Sequence, residues 1–553
     1  VAARAWVVHP KIDSARLASE LDLHPEAASI LIRRGLADPR EASRFLNPSP
    51  DHLESPFVFR DMQKAVDRLR LARERGEKVL VYGDYDVDGV TGSSILCPIL
   101  RKFGLEADAH IPHRVNEGYG LNRDSLACLL EKGYRLVVTV DNGITGVDQI
   151  RFLNERGVDS IVVDHHLPKD GFPAAHAIVS AAVGPGDAHL AACGLAFKLG
   201  WALLGSYADV REYLDLVAVG TIADVADVTG ENRILLREGM KVLAQAKRPG
   251  IRALFDVARI RPGSVTYRDL GFALGPRINA AGRMGSPLDA FRLLTTADPV
   301  EAALLAKKLD DGNKERQKVE ARTFAEASEI AGNGGRHVIV VESEDWHEGV
   351  LGIVASRLVE RYKKPSIVIS MKGGAGKGSG RSVPAFSLFD SVLECEDLLT
   401  AFGGHAQACG LSIRKENVPL FREKLNEVAG KHAERGLGAP DLNIESEISP
   451  RDLDLKFLRD LERIEPFGPG NPRPLFMTRG MRAKGEVKKR GKDTLHAWMA
   501  SSDGRTVCEV VGFRQYERWA ATPPAGPVDV VYRPSLVDSQ GIVSVQLELE
   551  DWK

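Results

Sequence analysis

Between residues 46 and 260 the chain alternates two hydrophobic periods. Asp61 to Gly76 is charged and amphipathic with helical spacing, and an apolar run follows at 78–82. Thr91 to Phe103 and Ser125 to Gly133 read as helices, and 135–140 as a strand. Gly146 to Gly157 is helical and precedes a strand at 159–163. Short apolar runs closed by glycine or acidic residues read as buried strands. Their alternation with helices predicts an α/β domain built on a doubly wound parallel sheet.

Elsewhere the rhythm changes. Residues 1–45 read as a small helical lead-in punctuated by Pro25 and Pro39. Asp298 to Asn333 reads as one long charged helix, with Asp298 and Glu301 as a capping box, Pro299 at the first position and a break expected near Gly312. A second α/β unit begins at Arg336, with strands there and from Pro365, and the stretch from Gly436 is linker-like. Five strand candidates follow: Leu475 to Val487, His496 to Ala500, Thr506 to Phe513, Val528 to Val537 and Ile542 to Glu550. A helix, Gln515 to Ala520, falls between the third and fourth, which is the order of an OB-fold barrel; a generic small β-domain is the other reading. The resulting division is 1–45, 46–297, 298–335, 336–440 and 441–553.

Composition narrows the class. At 553 residues the chain needs several cores, and 44% hydrophobic with 27% charged residues is that of a soluble globular protein. No uncharged apolar run reaches the ~18 residues of a membrane span, and the N-terminus lacks a signal-peptide layout, so a cytoplasmic location and no membrane partner are expected. Six scattered cysteines include no CxxC pair, which excludes a zinc ribbon and a disulfide scaffold. A net charge of −2 does not announce a nucleic-acid partner, but an acidic metal centre would offset a basic groove.

The acidic residues are placed tellingly. Lys78-Val-Leu-Val-Tyr-Gly-Asp84-Tyr-Asp86-Val-Asp88-Gly89, Leu136-Val-Val-Thr-Val-Asp141 and Ile161-Val-Val-Asp164-His165-His166 each carry an apolar run into acids. Val219-Gly-Thr-Ile-Ala-Asp224 adds a carboxylate after small residues. Ligands of open parallel sheets bind outside the strands' carboxyl ends, so these groups would gather. Clustered carboxylates repel, and a divalent cation compensates them. Hard oxygen donors suit Mg²⁺ or Mn²⁺, and added imidazole favours Mn²⁺. An EF-hand is excluded, because the twelfth position from Asp84 is Ile95; a solvated turn remains the plain alternative for that run alone.

Phosphate-binding candidates are less specific. Gly403-Gly404 could present backbone N–H groups to a phosphate, with His405 adding a donor, or form a plain turn. Lys372 to Ser382 is not a P-loop, because Gly378 follows Lys377; it reads as a glycine-rich cradle with Ser379 and Arg381, or as a loop. Arg114, Arg277 and Arg283 are candidate phosphate contacts or surface arginines. The basic stretch Lys484 to Lys492, with Phe476, Trp498 and Phe513, fits an OB-fold that holds single strands, buried rings being the alternative.

These motifs resemble the DHH phosphoesterase superfamily, named for Asp164-His165-His166. Phe402-Gly403-Gly404-His405-Ala-Gln-Ala-Cys-Gly410 resembles the signature of its DHH-associated domain. Tyr82-Gly-Asp84-Tyr-Asp86-Val-Asp88-Gly, Gly275-Pro-Arg277-Ile-Asn279-Ala-Ala-Gly-Arg283 and Glu465-Pro-Phe-Gly-Pro-Gly-Asn471-Pro are similar to its bacterial single-strand exonuclease branch. The resemblance implies two α/β domains joined by a long helix, an OB-fold barrel, and two Mn²⁺ or Mg²⁺ ions. It implies Asp86, Asp88, Asp141, His165 and Asp224 as metal ligands, with Asp141 bridging, His166 facing the scissile phosphate and Asp164 orienting a histidine. Smaller relatives carry a metal-binding His where this chain has Tyr82, and Asp84 takes that place. Asp141, His165, His166 and His405 would be catalytic; Arg114, Arg277, Asn279, Arg283, Ser379, Arg381, Gly403, Gly404 and His405 would bind substrate. The implied activity is 5′→3′ degradation of single-stranded DNA to mononucleotides in repair and recombination, alongside a single-strand-binding protein and a helicase. The alternatives are a phosphodiesterase of short oligoribonucleotides or cyclic dinucleotides, and a non-catalytic DNA-binding scaffold.

Overall fold

A computed structural model describes residues 5–114, 117–169, 171–187, 189–332, 336–384, 386–433, 441–539 and 542–553. The linker expected from Gly436 lies outside them. The chain divides into two units, one of residues 53–226 and 230–439, the other of residues 1–52, 227–229 and 440–553.

The first unit holds both α/β domains. Its first sheet is wholly parallel, in the order Glu106–His110, Lys78–Tyr82, Tyr134–Val140, Asp159–Val163, Ala177–Val179. The three central strands are buried along nearly their whole length, as continuous apolar runs require. Strand order reverses between Lys78–Tyr82 and Tyr134–Val140, and the crevice at such a switch point is where ligands bind. The helix expected from Thr91 begins earlier, at Val87, because the Asp86 carboxylate accepts from the N–H groups of Asp88 (3.0 Å) and Gly89 (3.2 Å) and caps it.

The long helix spans Pro299–Ala331 without the break expected near Gly312. Buried Leu309, Asp310 and Asn313 flank that glycine and hold it in register. Asp298 caps Val300 N at 2.9 Å, but Glu301 turns to Thr296 Oγ1 at 2.6 Å, so no capping box closes.

The second sheet runs Leu399–His405, Ala408–Arg414, Ala375–Arg381, Ser366–Lys372, Ile339–Ser343, and only the last pair is parallel. The stretch 372–382 is therefore no phosphate-cradling loop. A Cβ on Gly376, Gly378 or Gly380 would come within 2.5 Å of Met371 Sδ, 2.8 Å of Leu411 Cδ1 or 2.7 Å of Cys409 Sγ. Those glycines let the strand pack closely, while Lys377, Ser379 and Arg381 alternate onto the opposite face. Gly403 and Gly404 likewise form no turn; they lie in the edge strand opposite Gly410 and Cys409.

The second unit is a closed barrel. Phe476–Ala483 pairs with both Thr494–Ala500 and Val528–Ser539; Ile542–Trp552 bridges Val528–Ser539 to Val507–Phe513, the latter pairing parallel. Helix Tyr516–Ala521 lies between the third and fourth barrel strands, giving OB-fold topology. Lys488–Arg490 adds a short strand on Thr494–Ala500. The N-terminal residues are not a separate helical lead-in. Strand Trp6–Val8 pairs with Leu442–Ile444, and helices Ala15–Leu21, Pro25–Arg33 and Pro39–Leu46 share one core with Phe457, Phe476 and Tyr532. Among the described residues no helix is long and apolar enough to cross a membrane.

Candidate active site

Four backbone segments deliver acids to the switch point. Asp84 leaves strand Lys78–Tyr82 across Gly83, and a Cβ on Gly89 would lie 2.5 Å from Asp84 N, so only glycine lets the helix start against it. Asp86 caps helix Val87–Lys102 and Asp88 sits in its first turn. Asp141 ends strand Tyr134–Val140 at φ +65°, a conformation Asp tolerates better than most residues. His165 and His166 follow strand Asp159–Val163. Asp224, unlike the others, follows a helix: it is the C-cap of helix Leu214–Ala223.

The side chains converge. Ligand atoms of Asp88, His165 and Asp224 lie within 4.8 Å of one another, as do those of Asp84, Asp86 and Asp141, and those of Asp141, His165 and His166. Asp141 is shared, with Oδ1 3.3 Å from His165 Nε2, while Asp88 Oδ2 and Asp224 Oδ2 are each 3.9 Å from that nitrogen. Both Asp88 oxygens also accept backbone N–H groups, from Ala192 at 2.7 Å and Cys193 at 2.9 Å, in the first turn of helix Ala192–Leu204. That helix end favours the anion.

Without a cation the cluster is electrostatically frustrated. Burial, then Asp86 and Asp88, push Asp141 well above the usual carboxylate range. Burial and Asp86 do the same to Asp84; burial, then Asp88 and Asp86, raise Asp224 to about 8. Asp84 Oδ1, Asp141 Oδ1 and His165 Nε2 are buried with no hydrogen-bond partner. Orphaned acceptors facing one another fit divalent cations, which satisfy them and cancel the repulsion.

Asp164 stands apart. Its Oδ2 accepts from Ile144 N at 3.0 Å, and its Oδ1 lies 2.7 Å from His166 Nδ1. Burial opposes its charge, but the His166 hydrogen bond holds its carboxyl below the ordinary range. Burial likewise disfavours charged His166, yet Asp164 and the nearby acids raise it to about 9. Tyr82 is buried in the core against the His110 ring, and its hydroxyl accepts from Asn122 N at 3.3 Å.

Cationic groups line up beside the acids. Arg114 stacks over Tyr85 with 4.8 Å to the ring centroid. Burial, then Arg114 and Arg316, bring Arg283 down to about 10, and burial followed by Arg114 lowers Arg381. Arg283 donates to Gly349 O at 2.9 Å, and Arg381 to Ser379 Oγ at 3.2 Å. A Cβ on Gly352 would lie 2.9 Å from Arg381 Nη2 and 3.1 Å from Ser379 Oγ, so both side chains lie over the first turn of helix Leu351–Tyr362. Mutually repelling, half-buried arginines fit an anion. Arg277 is not gathered with them: its Nε donates to Asp310 Oδ1 at 2.9 Å and its Nη1 to Ala273 O at 2.8 Å, tying two helices together. Asn279 is half-buried on helix Gly275–Met284, and His405 is exposed at the end of its edge strand, outside the carboxylate sets.

Sequence patterning missed Tyr119, whose hydroxyl is 3.3 Å from His166 Nδ1 and donates to Asp141 O at 3.4 Å. It also missed Glu117, which accepts from His113 N at 2.7 Å and Ser125 Oγ at 2.6 Å, and so anchors the segment carrying Arg114 and Tyr119. Neither belongs to a periodic element, so only the neighbouring glycines hinted at a constrained loop.

A parallel sheet with its switch point filled by Asp, His and orphaned acceptors, joined by a long helix to a second α/β domain, defines a DHH-type phosphoesterase. Residues 78–221 match the DHH family N-terminal domain, 335–431 the DHHA1 domain and 444–551 the RecJ OB domain. The single-stranded-DNA-specific exonuclease RecJ of Bacillus subtilis is 35% identical over 97% of this chain and 69% of its own length. That of Dickeya dadantii is 32% identical over 95% and 96%. The crystal structure of RecJ in complex with Mn²⁺ from Thermus thermophilus superposes with a TM-score of 0.85 at 30% identity, covering 99% of this chain and 79% of that one. A Mg²⁺ complex of RecJ from the same organism also matches, with a TM-score of 0.80 at 28% identity, covering 99% and 78%. The chain belongs to the RecJ family.

Proposed function

We propose that the chain is a 5′→3′ exonuclease that hydrolyses single-stranded DNA to mononucleotides with two Mn²⁺ or Mg²⁺ ions. The observation that carries this reading is Asp141, shared between the Asp84–Asp86 set and the His165 set, with the arginine cluster alongside. Asp88, His165 and Asp224 would hold one cation, Asp84 and Asp86 the other, and Asp141 both. When bound, such a pair activates water and neutralises charge on the phosphodiester.

The remaining roles fall to the protein's own groups. His166, whose Nδ1 lies 2.7 Å from Asp164 Oδ1, would present a donor to the scissile phosphate. Tyr119 restricts that ring. Arg114, Arg283, Arg381 and Ser379 grip a terminal phosphate, because guanidinium forks match its oxygens, and a fixed terminal phosphate makes the reaction exonucleolytic. The barrel supports a long strand as substrate: Trp498 and Phe513 are each half exposed on its second and third strands, and Lys488 and Arg490 are exposed alongside. Short oligoribonucleotides or cyclic dinucleotides would leave that surface unused. A non-catalytic scaffold would not need the complete ligand set. A substrate supplied as single strands in repair and recombination implies a helicase, a single-strand-binding protein and a cytoplasmic setting; unpaired cysteines fit that setting.

The test is digestion of 5′- and 3′-labelled strands, single and duplex, with Mn²⁺. Mononucleotide release from the 5′ end of single strands is expected. Release only from the 3′ end, or equal cutting of blunt duplex, would reject the polarity or the substrate.

A further inference from the structure

Arg283, one of the arginines assigned to the terminal phosphate, is held by the second α/β domain. It lies near the end of helix Gly275–Met284, and its Nη1 donates to Gly349 O at 2.9 Å. The two backbones also approach closely: a Cβ on Gly349 would lie 2.6 Å from Arg283 O. Gly349 belongs to a 3₁₀ turn, Glu348–Val350, which leads directly into helix Leu351–Tyr362. Ser379 and Arg381 lie over the first turn of that helix, at Gly352. The placement of Arg283 relative to Ser379 and Arg381 therefore depends on how the Gly349 turn is built.

His347 builds it. The residue is the N-cap of the turn: its Nδ1 accepts from Gly349 N at 3.0 Å, and its carbonyl accepts from Val350 N at 3.1 Å. The two peptide groups that flank Gly349 thus both end on His347, and one of them carries the carbonyl that Arg283 reaches. An imidazole nitrogen that accepts carries no proton, so this bond requires a neutral ring with its proton on Nε2. Burial, then Lys372, lower the ring below the ordinary histidine value against the opposing pull of Glu348, which favours that neutral form.

The residues beside His347 are pinned by other elements of the same unit. Trp346 is buried; its Nε1 donates to Glu326 Oε2 of the long helix at 2.8 Å, and its carbonyl accepts from Ser370 Oγ at 2.6 Å. Glu348 pairs with Lys372 at 3.5 Å and Lys377 at 3.3 Å, on the two central strands Ser366–Lys372 and Ala375–Arg381. With its flanks fixed in this way, the turn passes the position of the His347 ring on to Gly349 and so to Arg283.

We propose that His347 is a positioning residue for Arg283: its Nδ1 fixes the Gly349 turn, and the turn holds the Arg283 guanidinium where it shares a terminal phosphate with Ser379 and Arg381. The inference rests on the terminal-phosphate reading of these arginines, and its test separates the two. The measurement is kcat/KM of the full-length protein with Mn²⁺ on 5′-phosphoryl and 5′-hydroxyl single strands, with folding checked by circular dichroism. Arg283→Ala should lower the phosphoryl-to-hydroxyl ratio by at least ~10-fold. His347→Ala removes the cap and should lower it roughly 3- to 10-fold. His347→Ala/Arg283→Ala should be no worse than Arg283→Ala. A variant that is merely less stable loses both substrates alike and keeps the ratio. Two conservative replacements identify the atom. Asn sets an acceptor near the place of Nδ1 and is a favoured N-cap, whereas Gln sets its amide near the place of Nε2. His347→Asn should restore the ratio and His347→Gln should not. A wild-type ratio in His347→Ala overturns the proposal. Rescue by Gln and not by Asn also overturns it, because the ring would then touch the strand end through Nε2. Should His347→Ala fail to fold, the other two variants decide, and equal ratios in them overturn the proposal. An unchanged ratio in Arg283→Ala overturns the phosphate reading itself, and this inference with it.

Discussion

His165 Nε2 stands 3.3 Å from Asp141 Oδ1, yet both atoms are buried and neither makes a hydrogen bond. The pair is arranged for something placed against both. Asp141→Ala should therefore reduce hydrolysis by at least ~10³-fold, as loss of a central electrostatic stabiliser does. Asp141→Asn should also raise the melting temperature of the metal-free protein, because it removes the most crowded charge. Near-wild-type turnover in Asp141→Ala would sink the assignment.

Stability of the metal-free protein should depend on pH in the direction set by Asp224. Burial, Asp88 and Asp86 raise that carboxyl to about 8 in the folded chain, against an ordinary value of 3.8. A group whose folded value is raised contributes stability that is present below its unfolded value and is lost as pH rises through the folded one. Chelated protein should thus melt at progressively lower temperature from about pH 4 to 8, and Mn²⁺ should restore most at the alkaline end. Thermal scans at several pH values with chelator or Mn²⁺ check this. A Mn²⁺ effect that shrinks toward pH 8 would contradict it.

The arginine cluster predicts discrimination at the strand end. Arg381→Ala, which removes a fork held over Gly352, should cost about 1.5–3 kcal/mol of charge-assisted bonding to a terminal phosphate. That is roughly 10- to 150-fold on 5′-phosphorylated strands, with little change on 5′-hydroxyl strands. Arg277→Ala should leave that ratio unchanged and instead lower stability, since its partner is Asp310. Comparing the two end chemistries for each variant separates the roles.

The parts of this fold legible in the sequence are those with a period. Buried parallel strands write themselves as Val79-Leu-Val and Ile161-Val-Val, and their last residues point to the crevice where Asp84, Asp141 and His165 are found. Glycine was harder to read. Gly376, Gly378 and Gly380 sit in Ala375–Arg381 because no side chain fits beneath that strand, a reason that exists only once Met371, Leu411 and Cys409 face it. The small residues before Asp224 serve close helix packing, with a Cβ on Gly220 falling 2.4 Å from Thr91 Oγ1. Arg277 and Arg283 carry the same sequence signal six residues apart, and only tertiary partners decide that one ties helices through Asp310 while the other lies among Arg114, Arg316 and Arg381. The N-terminal helices show the same limit: they are helices as their pattern predicts, but Leu31 and Leu46 find their core roughly 400 residues away, beside Phe457 and Phe476.

The barrel surface yields a prediction that separates capture from chemistry. Trp498 is 50% exposed and Phe513 equally so, while Leu495, Ala497 and Met499 of the same strand as Trp498 are buried. Removing an exposed ring takes little from the core, so Trp498→Ala and Phe513→Ala should fold normally. Each stacked base contributes about 1–3 kcal/mol, so each variant should raise KM on long single strands roughly 5- to 150-fold. Turnover at saturation should hardly change, because the reacting groups belong to the other unit. Loss of kcat with KM unchanged would show that these rings serve the hydrolytic centre and not strand capture.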